Sequence, residues 1–186
     1  MRNSAKALIH YYFSQVLTRI HRDDRAIVEL ERAVAIDGAC VRAWRSLGFM
    51  LANRNFGTRA LEAMQRALAL EDDPVTRFNL GYLYHQLGRR AEAIAEFERV
   101  VKASPRNDRA WYGLGVCHQE LGSFDKSTAP LQEAAKLQYF NPHAGYHLAL
   151  AWYKLGNEAN CRKEFDRVRS FDPKMAERMA IEFHIR

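Results

Sequence analysis

The chain has 186 residues, 48% of them hydrophobic, with 28 Lys and Arg against 22 Asp and Glu and a formal net charge of +6. That apolar content excludes a disordered chain, no apolar run approaches the ~18 residues of a membrane span, and three cysteines without a Cys-x-x-Cys pair exclude a disulfide framework. The positive excess is interleaved with acids and contains no run of five like charges, which describes a solvated surface and not a nucleic-acid footprint.

Taken in order, the chain opens with a short lead, Met1 to Lys6, and then falls into five stretches of matching spacing, residues 7–40, 41–73, 74–107, 108–141 and 142–175. The first carries Phe13, Ser14, Leu17, Ala26, Leu30 and Ala33 in register. The second carries Trp44, Leu47, Gly48, Leu51, Ala60, Met64 and Ala67, with a turn, Asn53-Arg54-Asn55-Phe56, that lacks the Leu-Gly pair of the later ones. The third is the fullest. Counting Pro74 as position 1, Leu80, Gly81, Tyr84, Leu87, Gly88, Ala93, Phe97, Val100 and Pro105 stand at positions 7, 8, 11, 14, 15, 20, 24, 27 and 32. The fourth repeats this with Trp111, Leu114, Gly115, Leu121-Gly122, Leu131 and Ala134. The fifth has Leu148, Ala149, Trp152, Leu155-Gly156, Cys161, Phe165 and Pro173, with Gly145 where a large residue is usual. Starts are separated by 34, 33, 34 and 34 residues.

Each stretch reads as two helices joined by a tight turn. Leu80, Gly81 and Tyr84 are three or four apart and share a helix face. Gly81 and Ala93 are small where two helices must approach, and Tyr84 and Phe97 fill the remaining space. Asp73 is placed to cap a helix that starts at Pro74, and Gly88 to end it in the left-handed conformation. Trp111 is expected to be largely buried. The tail, about 174–185, is expected to be a capping helix with one face on the second helix of the fifth stretch and a wet outer face.

This signature resembles the tetratricopeptide repeat family. The resemblance covers residues 7–175 and implies an all-α fold, a right-handed α-α superhelix of ten to eleven antiparallel helices, as one domain over residues 1–186. It also implies a non-catalytic scaffold or adaptor that binds an extended or helical segment of another protein in its concave groove, acidic or aromatic-containing segments included. Family geometry places Arg42, Arg45, Phe49, Phe78, Asn79, Tyr82, Arg109, Tyr112, Tyr146, His147 and Tyr153 in that groove. Tyr and Arg there would supply contact area and charge-assisted hydrogen bonds. Arg45, Asn79 and Arg109 also match three of the five positions of the carboxylate clamp by which some family members hold the C-termini of heat-shock chaperones, while Phe49 and Gly113 replace the other two.

Two other readings remain: an RNA-binding helical repeat, suggested by the basic balance, and a structural protein that self-associates through an end or the groove. The repeats use nearly the whole chain, which contains no phosphate loop, no His-Glu-x-x-His and no nucleophile elbow. No catalytic residue, cofactor or metal site is assigned. His143 and His147 share a helix face, without a third metal ligand at suitable spacing. Cys40, Cys117 and Cys161 read as structural. Met1 to Ile20 has no small-residue cleavage site, and the expected location is the cytoplasm.

Overall fold

A computed structural model describes residues 2–185. Among them the chain is all-α, with eleven helices and no strand: α1 (Arg2–Arg19), α2 (Asp23–Ile36), α3 (Val41–Asn53), α4 (Gly57–Leu70), α5 (Pro74–Gln86), α6 (Arg90–Ala103), α7 (Asp108–Glu120), α8 (Phe124–Leu137), α9 (Pro142–Lys154), α10 (Glu158–Arg169) and α11 (Pro173–Glu182). The chain forms two compact units, Met1–Leu83 and Tyr84–Arg186, divided within α5. In the first, α1 packs on α2, α2 on α3 and α3 on α4. In the second, each helix from α6 to α11 packs on the next.

The turns inside the helix pairs have one chemistry. Gly88, Gly122 and Gly156 adopt φ of 78°, 73° and 68°, and the register position they share is taken by His21 and Asn55 in the first two pairs, at 56° and 61°. Every one of these turns is closed by an N–H reaching back five residues. The bonds are Arg22 to Leu17, Phe56 to Leu51, Arg89 to Tyr84, Ser123 to His118 and Asn157 to Trp152, each 2.9 Å. This is the Schellman bond, and asparagine tolerates the left-handed conformation best after glycine, so the turn around Asn55 closes without a Leu-Gly pair.

Helix starts follow the same local logic. The carboxylate of Asp73 accepts hydrogen bonds from the backbone N–H and the hydroxyl of Thr76 at 2.8 and 2.5 Å. Asn107, Asn141 and Asp172 accept backbone N–H groups from Ala110, His143 and Met175, each at 3.0 Å. These side chains supply acceptors for otherwise unpaired first-turn donors.

Packing sorts residues by size. A Cβ on Gly115 would lie 2.5 Å from Leu131, so α7 meets α8 only because position 8 is glycine. Gly145, which breaks the expected pattern, has a reason of the same kind. A Cβ there would lie 2.5 Å from Val168 and 2.6 Å from Arg167, which fill the space from α10. Trp111 packs against Leu131, Ala134 and Leu148 and keeps part of its ring exposed, with its indole N–H donating to the Pro105 carbonyl at 2.8 Å. Trp44, at the same register position, donates to the Gly38 carbonyl at 2.9 Å. The polar edge of each indole keeps it at the boundary of the core.

α11 buries one face. Ala176, Met179 and Phe183 are buried against Phe165 and Val168 of α10, as expected, and the same cluster reaches Tyr146 and Ala149 of α9. Cys117 and Cys161 are buried and Cys40 is half-buried, all three free thiols. Burial pushes the Cys117 thiol up to about 11, which keeps it protonated and inert.

Candidate partner-binding face

The first helices of the pairs carry the predicted groove residues, and in the first unit three of them enclose a cleft of about 370 Å³. Gln15 of α1, Arg45, Ser46 and Phe49 of α3 and Asn79 of α5 are among its lining. Three predicted residues, Arg45, Phe49 and Asn79, are therefore brought together. Phe49 is 51% exposed and forms an apolar wall with Met50. Tyr82 is also exposed, and Phe78 is half-buried.

The arginines are less available than their positions suggest. The Arg45 guanidinium lies 3.0 Å from Glu71 and 3.6 Å from Asp73. Burial alone would raise the Asp73 carboxyl, but the Thr76 hydrogen bonds and the Arg45 charge outweigh it and hold the group below its usual value. Arg42 donates to the Tyr12 hydroxyl at 3.4 Å and so links α3 to α1. Arg54, at the rim of the cleft, pairs with Asp24 at 2.6 Å.

In the second unit Arg109 is exposed and Tyr112 half-buried, its ring edge-to-face with His147 at 5.5 Å. Burial raises the Tyr112 phenol above its usual value. The other predicted residues are turned to internal work. The His147 ring N–H at Nδ1 donates to the Gln119 carbonyl oxygen at 2.7 Å, while the Gln119 amide donates to the His147 backbone carbonyl at 2.6 Å. Burial, with repulsion from His143, lowers His147 to about 4, so the ring is neutral at pH 7. Tyr146 is only 9% exposed and donates to the Glu182 carboxylate at 2.8 Å, with Arg178 4.8 Å from its ring centre. Tyr153 stacks on Phe183 at 5.4 Å. Tyr146 and Tyr153, expected in the groove, meet Glu182 at the end of α11 and Phe183 just after it. Glu120 is engaged by Arg90 and, at 3.0 Å, by His85.

Ser46 and Asn53 line the cleft although the sequence reading did not single them out. The signal was there, since both stand at register positions that the family directs to the concave face, but their small polar side chains carry no distinctive chemistry. Gln119, buried between α7 and α9, is a bridge.

The sequence profile of the tetratricopeptide repeat matches residues 51–107 and 78–137. Among solved structures, a MamA protein superimposes with a TM-score of 0.86 at 18% identity, covering 95% of this chain and 96% of that one. YrrB, described as a TPR protein with an unusual peptide-binding site, superimposes with a TM-score of 0.83 at 16% identity, covering 92% of this chain and 90% of that one. At these identities the likeness is one of fold. Among curated proteins, the chain is 26% identical over 147 residues to Superkiller complex protein 3 of Mus musculus, 74% of this chain and 9% of that protein. It is 35% identical over 105 residues to the Cell division cycle protein 27 homolog of Caenorhabditis elegans, 54% of this chain and 13% of that protein. The chain therefore spans a small part of the length of these relatives.

Proposed function

The chain is a tetratricopeptide repeat protein, and from that premise we propose that it is a non-catalytic scaffold holding a segment of another protein against α1, α3 and α5. A role in protein interaction is what the fold supports in general. The finer reading is carried by the cleft of the first unit, which the exposed Phe49 ring lines together with the polar side chains of Gln15, Ser46 and Asn79. An extended or helical segment would bury an apolar or aromatic side chain on Phe49 and pair its polar groups with those side chains.

The charge balance favours an aromatic anchor over an acidic tail. Arg45 and Arg54 already face Glu71, Asp73 and Asp24. The carboxylate clamp has a further obstacle at Gly113, where a Cβ would lie 2.8 Å from the Phe97 ring, so no cationic side chain fits without displacing that ring. In the second unit Arg109 and Tyr112 are the predicted residues left for a partner. The same proposal takes residues 1–186 as one domain and the cytoplasm as its setting.

Affinity capture from lysate after nuclease treatment tests this, comparing the native chain with a Phe49→Asp, Asn79→Ala variant that melts normally. A discrete protein held by the native chain and lost by the variant is the expected result. Partners retained by the variant would move the binding surface elsewhere, and recovery of nuclease-sensitive material alone would favour the RNA-binding reading.

A further inference from the structure

Each helix from α6 to α11 packs on the next and reverses direction at every turn, so the α6–α7, α8–α9 and α10–α11 loops fall at one end of the second unit. The last two of these loops meet through their rings. Tyr139, Phe140 and Phe171 form a triangle with centroids 5.2, 5.6 and 6.3 Å apart. Tyr139 is nonetheless 51% exposed and Phe140 74%. At the same two register positions the earlier loops hold Gly38-Ala39, Glu71-Asp72 and Pro105-Arg106. None of them carries an aromatic pair.

The α8–α9 loop is held by a device of its own. Trp44 and Trp111 each donate an indole N–H to the carbonyl six residues back, that of Gly38 and of Pro105. The corresponding residue of the fifth repeat is Gly145, and the carbonyl six residues before it belongs to Tyr139. Arg167 of α10 takes the place of the missing indole: its side chain fills the space over Gly145, and its guanidinium donates to the Tyr139 carbonyl. The guanidinium also lies 5.3 Å from the centre of the Tyr139 ring and 5.8 Å from that of Phe171, while Glu164 accepts its Nε–H at 2.8 Å. A largely buried cation thus fixes the loop from beneath and leaves Phe140 projecting.

Positive charge gathers at the same end. Residues 100–111, 134–145 and 166–176, which are these three loops with the adjoining helix turns, carry seven Lys and Arg against three Asp. Residues 84–93, 117–127 and 151–161, at the opposite end, carry four Lys and Arg against four Asp and Glu. Interleaving along the sequence conceals the asymmetry, because the chain visits the two ends alternately. Of the three acids, Asp166 pairs with Arg169 at 2.9 Å and Asp172 caps α11 through the Met175 N–H, which leaves Asp108. Glu133 and Glu164 are engaged by Lys136 and Arg167. Lys102, Arg106 and Lys174 are exposed, and no ion pair engages them among the described residues.

We propose that this end of the second unit is a membrane-surface contact, in which Phe140 and Tyr139 enter the headgroup region of an anionic lipid layer while Lys102, Arg106 and Lys174 lie against its phosphate and carboxylate groups. A projecting ring needs no matching pocket in a fluid layer, and the Tyr139 hydroxyl stays hydrated at headgroup depth. Buried apolar area and attraction to anionic lipid are the two terms that set such binding, and both are present here. No described helix is long and apolar enough to cross a membrane, so the contact is peripheral. Single-stranded nucleic acid fits this end less well. The rings meet one another at 84°, 85° and 50°, and Arg167 packs against two of them, so successive bases find no row of open ring faces.

Co-sedimentation of the full chain tests this, with vesicles of phosphatidylcholine alone and with vesicles containing about 30% phosphatidylserine to supply the anionic surface. The chain should pellet with the anionic vesicles, stay in solution with the neutral ones, and dissociate as salt is raised. Phe140→Asp, at an exposed position, should keep the melting curve and weaken partitioning about tenfold, as loss of a buried ring predicts. Arg106→Ala with Lys174→Ala should weaken it about 25-fold, at roughly 5-fold per cation. Phe140→Trp reads insertion directly, since its added emission, over that of the three native tryptophans, should shift to the blue on anionic vesicles and be quenched by bromine-labelled lipid. A chain that stays in solution with both vesicles overturns the proposal and leaves the aromatic tip to a protein partner. Equal pelleting with neutral vesicles, or binding indifferent to Phe140→Asp and without a blue shift for Phe140→Trp, overturns it as well, by removing the charges or the rings from the contact.

Discussion

Gln119 and His147 are joined by two hydrogen bonds, amide N–H to backbone carbonyl at 2.6 Å and ring N–H to amide oxygen at 2.7 Å. The pair ties α7 to α9 and fixes the histidine as the neutral tautomer with its proton on Nδ1. A protonated ring would have to carry its charge in a largely desolvated place, and the nearby Glu120 and Glu182 are already engaged by Arg90 and Arg178.

From this comes a pH dependence. His147 is lowered from 6.5 to about 4 in the folded chain, so the unfolded chain binds the proton first as pH falls. The pair's contribution is complete above about pH 6.5 and declines as the pH drops toward 4. The melting temperature of the native chain should therefore fall across that window more steeply than that of His147→Phe. Equal slopes would show that the ring is solvated.

Asp73 joins a cap to an ion pair. Asp73→Ala removes the acceptor of the Thr76 N–H and leaves Arg45 with Glu71 alone, so it should cost about 1 to 2 kcal/mol by urea unfolding. Because the carboxyl is held below its usual value, this stabilisation is present at neutral pH and is lost as pH falls through the depressed value. Asp73→Asn should keep most of the cap and lose the acid sensitivity.

Trp111 packs half-buried against the cluster of Leu131, Ala134 and Leu148. Trp111→Ala should cost about 3 kcal/mol, the lower end for deleting a large aromatic from a core. Trp111→Phe should cost about 1 kcal/mol, the bond to Pro105. Calorimetry adds a second readout. If residues 1–186 unfold as one domain, Trp111→Ala shifts a single transition, whereas a second transition that stays in place would mark Met1–Leu83 as independent.

His21 and Asn55 carry the left-handed turn with side chains in the way. His21→Gly relieves that strain, worth about 1 kcal/mol, against a loss in unfolded-chain stiffness of similar kind but smaller size. A modest rise in melting temperature is expected for His21→Gly and a fall for Gly88→Ala, where φ is 78°. A fall in both would mean that the two turns are not equivalent.

The periodic apolar positions, the cap at Asp73 and the turn at Gly88 were all legible in the sequence, and the structure places them in the expected elements. These features depend on neighbours within about five residues, and a local pattern is sufficient to specify them. Even the turn without a Leu-Gly pair obeys the rule, since Asn55 takes the glycine's conformation. The candidate face was legible only as a set of register positions. Arg45, Phe49 and Asn79 do meet around one cleft.

What the register could not say is which of those side chains stay free. Tyr146 finds Glu182 36 residues away, and His147 finds Gln119 28 residues away. Arg45 turns to Glu71 and Asp73 across the length of α4. Position within a helix sets the direction in which a side chain leaves the backbone, and that much belongs to the sequence alone. Its partner is set by which distant segment arrives at that face, and by whether pairing there outweighs hydration. Only the packed helices decide that.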